Sequence, residues 1–189
     1  MRNEISKMIF KQDLSKTCLK IGNNAYTYQD LLEVTEKLKN FLDNVGTNLR
    51  IGLYSQDERV YALYALAIME KGVYCPIDPK LTSRQVEEYV KLLGIDVILS
   101  DTDIGEWKFT SDDVFTGSKI ERHRKDDFAI LTTTSGTSAL PKIVPLYYES
   151  WVYSIPKYND FFDFDESVKQ LVYVSLSRIA SLYIVLRTW

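Results

Sequence analysis

The stretch Arg50–Ser100, RIGLYSQDERVYALYALAIMEKGVYCPIDPKLTSRQVEEYVKLLGIDVILS, decides the fold. Arg50–Tyr54, Val73–Ile77 and Asp96–Ser100 are short apolar runs rich in branched and aromatic residues, and each reads as a buried strand. Between them, Asp57–Lys71 is an Ala- and Leu-rich helix closed by Gly72. Thr82–Leu93 is a second helix, with Thr82 or Ser83 as N-cap and Gly94 as stop. Strands joined by helices of this length need right-handed crossovers, so the fold class is α/β with a mainly parallel sheet flanked by helices.

Upstream, Cys18–Ile21 and Ala25–Tyr28 read as an N-terminal hairpin about Gly22-Asn23-Asn24. From Tyr28 to Val45, Leu31, Leu32, Val34, Leu38, Phe41, Leu42 and Val45 recur at helical spacing, and Gly46 caps that helix. Downstream, Phe128–Thr133 reads as a buried strand, Thr134–Pro141 as a small-residue loop and Lys142–Leu146 as a further strand. A helix over Tyr148–Tyr158 follows, with Pro156 as a point of interruption. Leu171–Leu186 reads as a buried strand plus helix, and the polar, turn-rich Asp101–Asp127 predicts no defined element. No repeat or linker divides the chain.

Its 189 residues, 46% apolar and 26% charged, suffice for a packed core and exclude a disordered or fibrous chain. The formal charge of −3 offers no basic field, so nucleic acid is not an expected partner. Cys18 and Cys75 form no CxxC, and His123 is the single histidine, so neither a disulfide framework nor a metal site is expected. Cys75 reads as a small buried hydrophobe, Asp78 as a turn-former and His123 as a solvated loop residue. The N-terminus lacks a secretory apolar core, and Leu171–Leu186 is short and carries Arg178, so a membrane span is not expected and the cytoplasm is the expected location.

The segment Leu131–Lys142, LTTTSGTSALPK, concentrates hydroxyls about Gly136 and ends on a lysine. Hydroxyls and backbone N–H groups donate to phosphate oxygens, a glycine admits close approach, and a lysine supplies a point charge. Pro141 and Ile143 stand where a Walker A loop needs glycine and a magnesium-binding hydroxyl, so a P-loop enzyme is disfavoured. By composition alone the segment better fits an ordinary exposed Ser/Thr-rich loop.

Thr134–Lys142, TSGTSALPK, resembles the phosphate loop TSGTTGxPK of the adenylate-forming (AMP-binding) superfamily, which includes acyl-CoA synthetases and nonribosomal peptide synthetase adenylation domains. Three further segments resemble the same family in the same order. Ala25–Leu31 is similar to its early TYxEL element, and Arg50–Tyr54 to the strand after the first long helix. Ala67–Pro79, AIMEKGVYCPIDP, is similar to LKAGAAYVPIDP. Ser175–Leu182, SLSRIASL, aligns with PLFHxxGL, which lines the acyl or aminoacyl pocket. Ala139 and Ile143 depart from the family's glycines.

The resemblance implies adenylation of a carboxylate with ATP and Mg, followed by transfer to a thiol of coenzyme A or a carrier protein. Thr134, Ser135, Gly136, Thr137, Ser138 and Lys142 would hold the ATP phosphates. Arg178 falls where the family has an aromatic residue or histidine; its guanidinium would bind a carboxylate of a carboxylic or amino acid substrate, or else it simply replaces a gating side chain. The family's adenine-, ribose- and magnesium-binding residues, and the catalytic lysine of its small C-terminal domain, lie downstream of the pocket element. Residues 1–189 are therefore expected to be the N-terminal portion of an adenylation domain, truncated or split, resembling an acid–thiol ligase but inactive alone without a polypeptide supplying the rest. No catalytic residue and no metal ligand is assigned. The alternative is a non-catalytic interaction module that retains half the fold and forms a homo-oligomer.

Overall fold

The computed structural model describes residues 2–101, 120–121, 127–134, 142–165 and 167–189. A short helix, α1 (Glu4–Ile9), precedes the antiparallel hairpin β1 (Thr17–Ile21) and β2 (Asn24–Thr27). The turn between them opens on Gly22 at φ 58°, a left-handed conformation that glycine adopts without a Cβ penalty. The next helix, α2 (Tyr28–Val45), starts from a capping box in which Thr27 and Asp30 satisfy each other's backbone N–H groups. Its buried residues Leu31, Thr35, Leu38, Leu42 and Val45 recur at three and four.

The central alternation follows as β3 (Gly46–Thr47), β4 (Arg50–Tyr54), α3 (Glu58–Lys71), β5 (Val73–Pro76), α4 (Ser83–Leu93) and β6 (Val97–Ser100). Thr82 closes a capping box with Gln85 at the start of α4, and Gly94 ends the helix at φ 61°. Next come β7 (Ile120–Glu121), parallel to β3, then β8 (Phe128–Thr133), β9 (Ile143–Tyr147), α5 (Tyr148–Phe161) and α6 (Ile179–Thr188). The main sheet runs β6-β4-β5-β8-β9; its first three pairings are parallel and the last is antiparallel. The α/β class and mainly parallel sheet read from Arg50–Ser100 are those of the structure.

Strand pleating divides the core. Ile51, Leu53, Tyr74, Val97, Leu99 and Ile130 face one side, packed against residues of α2, α3, α5 and α6. Tyr54, Val73, Cys75, Ile98 and Leu131 face the other, under Val86, Val90 and Leu93 of α4. Because α3 is enclosed on most sides, its apolar residues run almost without a polar face. The helix turns into β5 at Gly72, where an added Cβ would lie 2.5 Å from the Leu49 carbonyl oxygen.

Polar ties join distant parts of the chain. Buried Glu70 on α3 accepts hydrogen bonds from Ser6 on α1 and from Lys39 on α2, the latter at 3.1 Å. The Tyr148 hydroxyl accepts the Ile5 N–H at 3.1 Å. At the other end, the Trp189 indole donates to the Cys18 carbonyl at 3.0 Å, and the Tyr28 hydroxyl donates to the Trp189 carbonyl at 3.1 Å.

Two expectations are corrected. The last long helix does not stop at Pro156 but continues to Phe161. Its final turn is held to α6, because Asn159 donates to the Arg187 carbonyl at 2.9 Å and the Arg187 guanidinium stacks 3.9 Å over the Tyr158 ring. Leu171–Val174 is not a buried strand: Leu171 and Tyr173 are 85% and 89% exposed, and the segment joins no sheet among the described residues. Its apolar composition imitates a strand, but no partner ladder takes up its backbone groups. The helical half of that reading is α6, which buries Leu182, Val185 and Leu186.

Two stability predictions follow from this packing. Gly72→Ala forces a methyl group against backbone and is expected to cost about 1–3 kcal/mol in urea unfolding, whereas an unchanged midpoint would contradict the close approach. Burial pushes the phenols of Tyr89 and Tyr148 up to about 12, against about 10 in the unfolded chain. The unfolded state therefore loses these protons first as pH rises. The stability tied to them is whole below about pH 10 and is lost on the way to 12. Thermal midpoints measured from pH 9 to 12 should fall above about pH 10, less steeply in Tyr148→Phe.

Candidate functional site

Ser55, Ile77, Asp101 and Thr134 directly follow the carboxyl ends of the parallel strands β4, β5, β6 and β8. The helix after β4 lies on one face of the sheet and the helix after β5 on the other, which makes the gap between these two strand ends the place where a ligand usually sits in such a sheet. The Tyr61 hydroxyl bridges it, accepting the Ser55 N–H at 3.0 Å and donating to the Ile77 carbonyl at 2.7 Å. Gln56 donates to the Pro79 carbonyl at 3.1 Å, and Ser55 Oγ donates to Asp101 at 2.6 Å.

The segment Ser175–Leu182 is fastened to these ends by two carboxylates. Glu58, in the first turn of α3, accepts the Ser175 hydroxyl at 2.6 Å and the Leu176 N–H at 2.5 Å. Asp78 accepts the Lys80 N–H on one oxygen at 2.9 Å, as its turn-forming role requires, and Arg178 Nη2 on the other at 2.6 Å. Sequence reading missed Glu58 and gave Arg178 no partner carboxylate. Both contacts join residues a hundred or more positions apart; Glu58 stands in no motif, and the PIDP motif that holds Asp78 gives no sign of Arg178.

Tyr89 of α4 completes this corner. Its hydroxyl donates to the Pro76 carbonyl at 3.1 Å and lies in the field of Arg178, near the threonines at the end of β8. Burial chiefly raises its pKa, so the phenol is neutral over the physiological range. Arg178, Asp78, Tyr89 and the β8 threonines thus share the carboxyl edge of the sheet.

Of the six residues expected to hold phosphates, the structure describes two. Thr134 and Lys142, both exposed, stand at the mouth of the β8–β9 connection, where the Thr134 N–H donates to the Lys142 carbonyl at 2.9 Å. Ser135, Gly136, Thr137 and Ser138 lie outside the described residues, as do Ala139 and His123. Ile143, where the family has glycine, pairs with Thr133 as an ordinary strand residue, so this departure imposes no backbone strain. A groove of about 640 Å³ between the hairpin turn and the start of α3 is lined by none of the predicted site residues.

Cys75 is fully buried, as expected, and Cys18 is half-buried, with its thiol pushed up to about 12 by burial, which makes it a poor nucleophile. Among the described residues there is no group of His, Cys, Asp and Glu able to hold a metal ion, and no helix is long and apolar enough to cross a membrane.

Among solved structures, O-succinylbenzoate coenzyme A synthetase (MenE) from Bacillus subtilis in complex with AMP superposes with a TM-score of 0.78 at 17% identity, over 98% of this chain and 52% of that one. VinN in complex with L-aspartate gives a TM-score of 0.80 at 17% identity, over 99% of this chain and 59% of that one. The chain thus spans about half the length of these structures, and at such identity the likeness is one of fold. No curated protein matches the sequence. A family model described as AMP-binding enzyme matches residues 9–189, and the chain belongs to that family.

Proposed function

We propose that this chain forms the phosphate-holding and acid-lining half of an ATP-dependent carboxylate-activating ligase. The observation that carries the reading is the juxtaposition at one sheet edge of the loop mouth, Thr134 and Lys142, with a pocket element that presents Arg178. In this reading the backbone and hydroxyl donors from Thr134 to Ser138, with the Lys142 ammonium, hold the polyphosphate and offset charge as a substrate carboxylate attacks the α phosphorus and pyrophosphate leaves. Arg178 binds a carboxylate of the acid. The acyl adenylate then passes to the thiol of coenzyme A or of a carrier protein.

The solved relatives supply context for this reading. MenE is seen with AMP, and also with ATP and a magnesium ion; VinN is seen with L-aspartate. The described residues include no acidic cluster fit for magnesium, so the chemistry assigned to this chain rests on its own hydrogen-bond donors and cations. The remaining half of the fold, supplied by further polypeptide, would contribute the adenine and ribose contacts and the catalytic lysine.

One observation favours the second reading, a non-catalytic interaction or oligomerising module. Phe161, Leu171 and Tyr173 are 79%, 85% and 89% exposed, and the main sheet ends in the edge strand β9. Concentration-dependent association in sedimentation, without any response to nucleotide, would support that module over the ligase.

Thermal unfolding with ATP and magnesium tests the ligase. At a hundredfold excess over Kd, a native-state ligand stabilises by about 2.7 kcal/mol, which corresponds to a rise of roughly 5–10 °C for a chain of this size. Lys142→Ala should bind ATP about tenfold more weakly, the usual effect of losing one charge-assisted contact. No rise in the wild-type chain, or an equal rise in both, would overturn the assignment of the loop.

A further inference from the structure

Building on the reading of Arg178 as a carboxylate-binding residue, we propose that Asp78 tunes the affinity of that site, pairing with one nitrogen of Arg178 and opposing, with its fixed charge, the second carboxylate of a substrate acid that pairs with the rest of the guanidinium. Arg178 Nη2 donates to Asp78 Oδ2 at 2.6 Å, yet the two side chains are unequally covered, the arginine 54% and the aspartate 21% exposed. A guanidinium carries five N–H donors in a planar fork. Asp78 engages one of its nitrogens, and much of the fork is presented to solvent, in the form that pairs with a carboxylate through two parallel bonds.

Asp78 cannot follow Arg178 away from its place. Its other oxygen accepts the Lys80 N–H at 2.9 Å, and Gln56 holds the carbonyl of the next residue, Pro79. The negative charge therefore stays beside the guanidinium whatever else arrives.

Two consequences follow for the substrate. An uncharged acyl group laid over this corner strips water from an ion pair and offers nothing in its place, which is unfavourable. A second carboxylate replaces that water with a two-bond pairing to Arg178, but does so against the fixed charge of Asp78. The site accordingly rejects simple monocarboxylates and takes acids with a second carboxylate at an affinity held down by its own aspartate. Unit charges about 4 Å apart in water repel by an amount equivalent to about fivefold in affinity.

Isothermal titration of the chain with succinate and with butyramide, which presents the same short chain without a charge, tests this, with the ligand-free thermal midpoint of each variant reporting that it is folded. Succinate is expected to bind the wild-type chain, to bind Asp78→Asn about fivefold more tightly, and to lose its binding in Arg178→Gln, with butyramide binding none of the three. Succinate binding that depends on Arg178 but is unchanged or weakened in Asp78→Asn would overturn the role of Asp78 and leave the reading of Arg178 standing. Equal succinate binding by all three chains, or binding by none, would overturn the reading of Arg178 and the proposal with it. Butyramide binding as tightly as succinate would overturn the selectivity for a carboxylate at this corner.

Discussion

The structure depends on the two-sided burial of the β4–β5 strand pair. A parallel pair must be covered on both faces, and the covering elements are supplied by the chain's own crossovers, α3 on one side and α4 on the other. The tightest point of that arrangement is Gly72, where α3 ends and β5 begins against the Leu49 carbonyl. Because Val73 N–H then donates to that same carbonyl at 2.9 Å, the approach of helix end to strand sets where β5 lies against β4. Polar ties from α1 and α2 to Glu70 act on the same helix, so the surrounding elements are organised about α3.

The opposite placement of the two helices also shapes the carboxyl edge of the sheet. α3 and α4 leave the ends of β4 and β5 toward different faces. Backbone groups there need partners, and Tyr61, itself fully buried, satisfies one from each strand end with a single hydroxyl. Glu58 and Asp78, which follow those strands, remain free to reach the Ser175–Leu182 segment. The Ser175–Leu182 segment is thus held by side chains whose positions are consequences of the crossover topology. Its own backbone does not enter the main sheet.

What the sequence disclosed divides by the range of the interaction. Helix periods, capping residues and strand runs are local, and α2, α4, β4 and β8 lie within a residue or so of where their patterns place them. The parallel sheet was legible because a helix between two strands admits few topologies. The clamps were not legible, since nothing near Glu58 or Asp78 refers to residues a hundred or more positions later. Leu171–Val174 shows the converse failure: a strand is made by its neighbours, and apolar alternation without a ladder leaves exposed side chains. The short helix α1 lay unread because six residues carry too little period, although Ile5 and Ile9 stand one helical turn apart and are both buried.

The departures of the loop from its family's glycines bear on what such a loop requires. A glycine is needed where φ is positive or where another backbone approaches closely, and elsewhere it only adds freedom that folding must remove. Ile143 meets neither condition, being a strand residue in register with Thr133 on an exposed edge. A branched residue is well suited to that position, because it stiffens the start of β9 next to the Thr134–Lys142 closure. Fixing both ends of a connection lowers the conformational entropy that ordering it must remove. Ile143 therefore contributes what a glycine at its position would not, a stiff first residue of β9 directly beside the Thr134–Lys142 hydrogen bond.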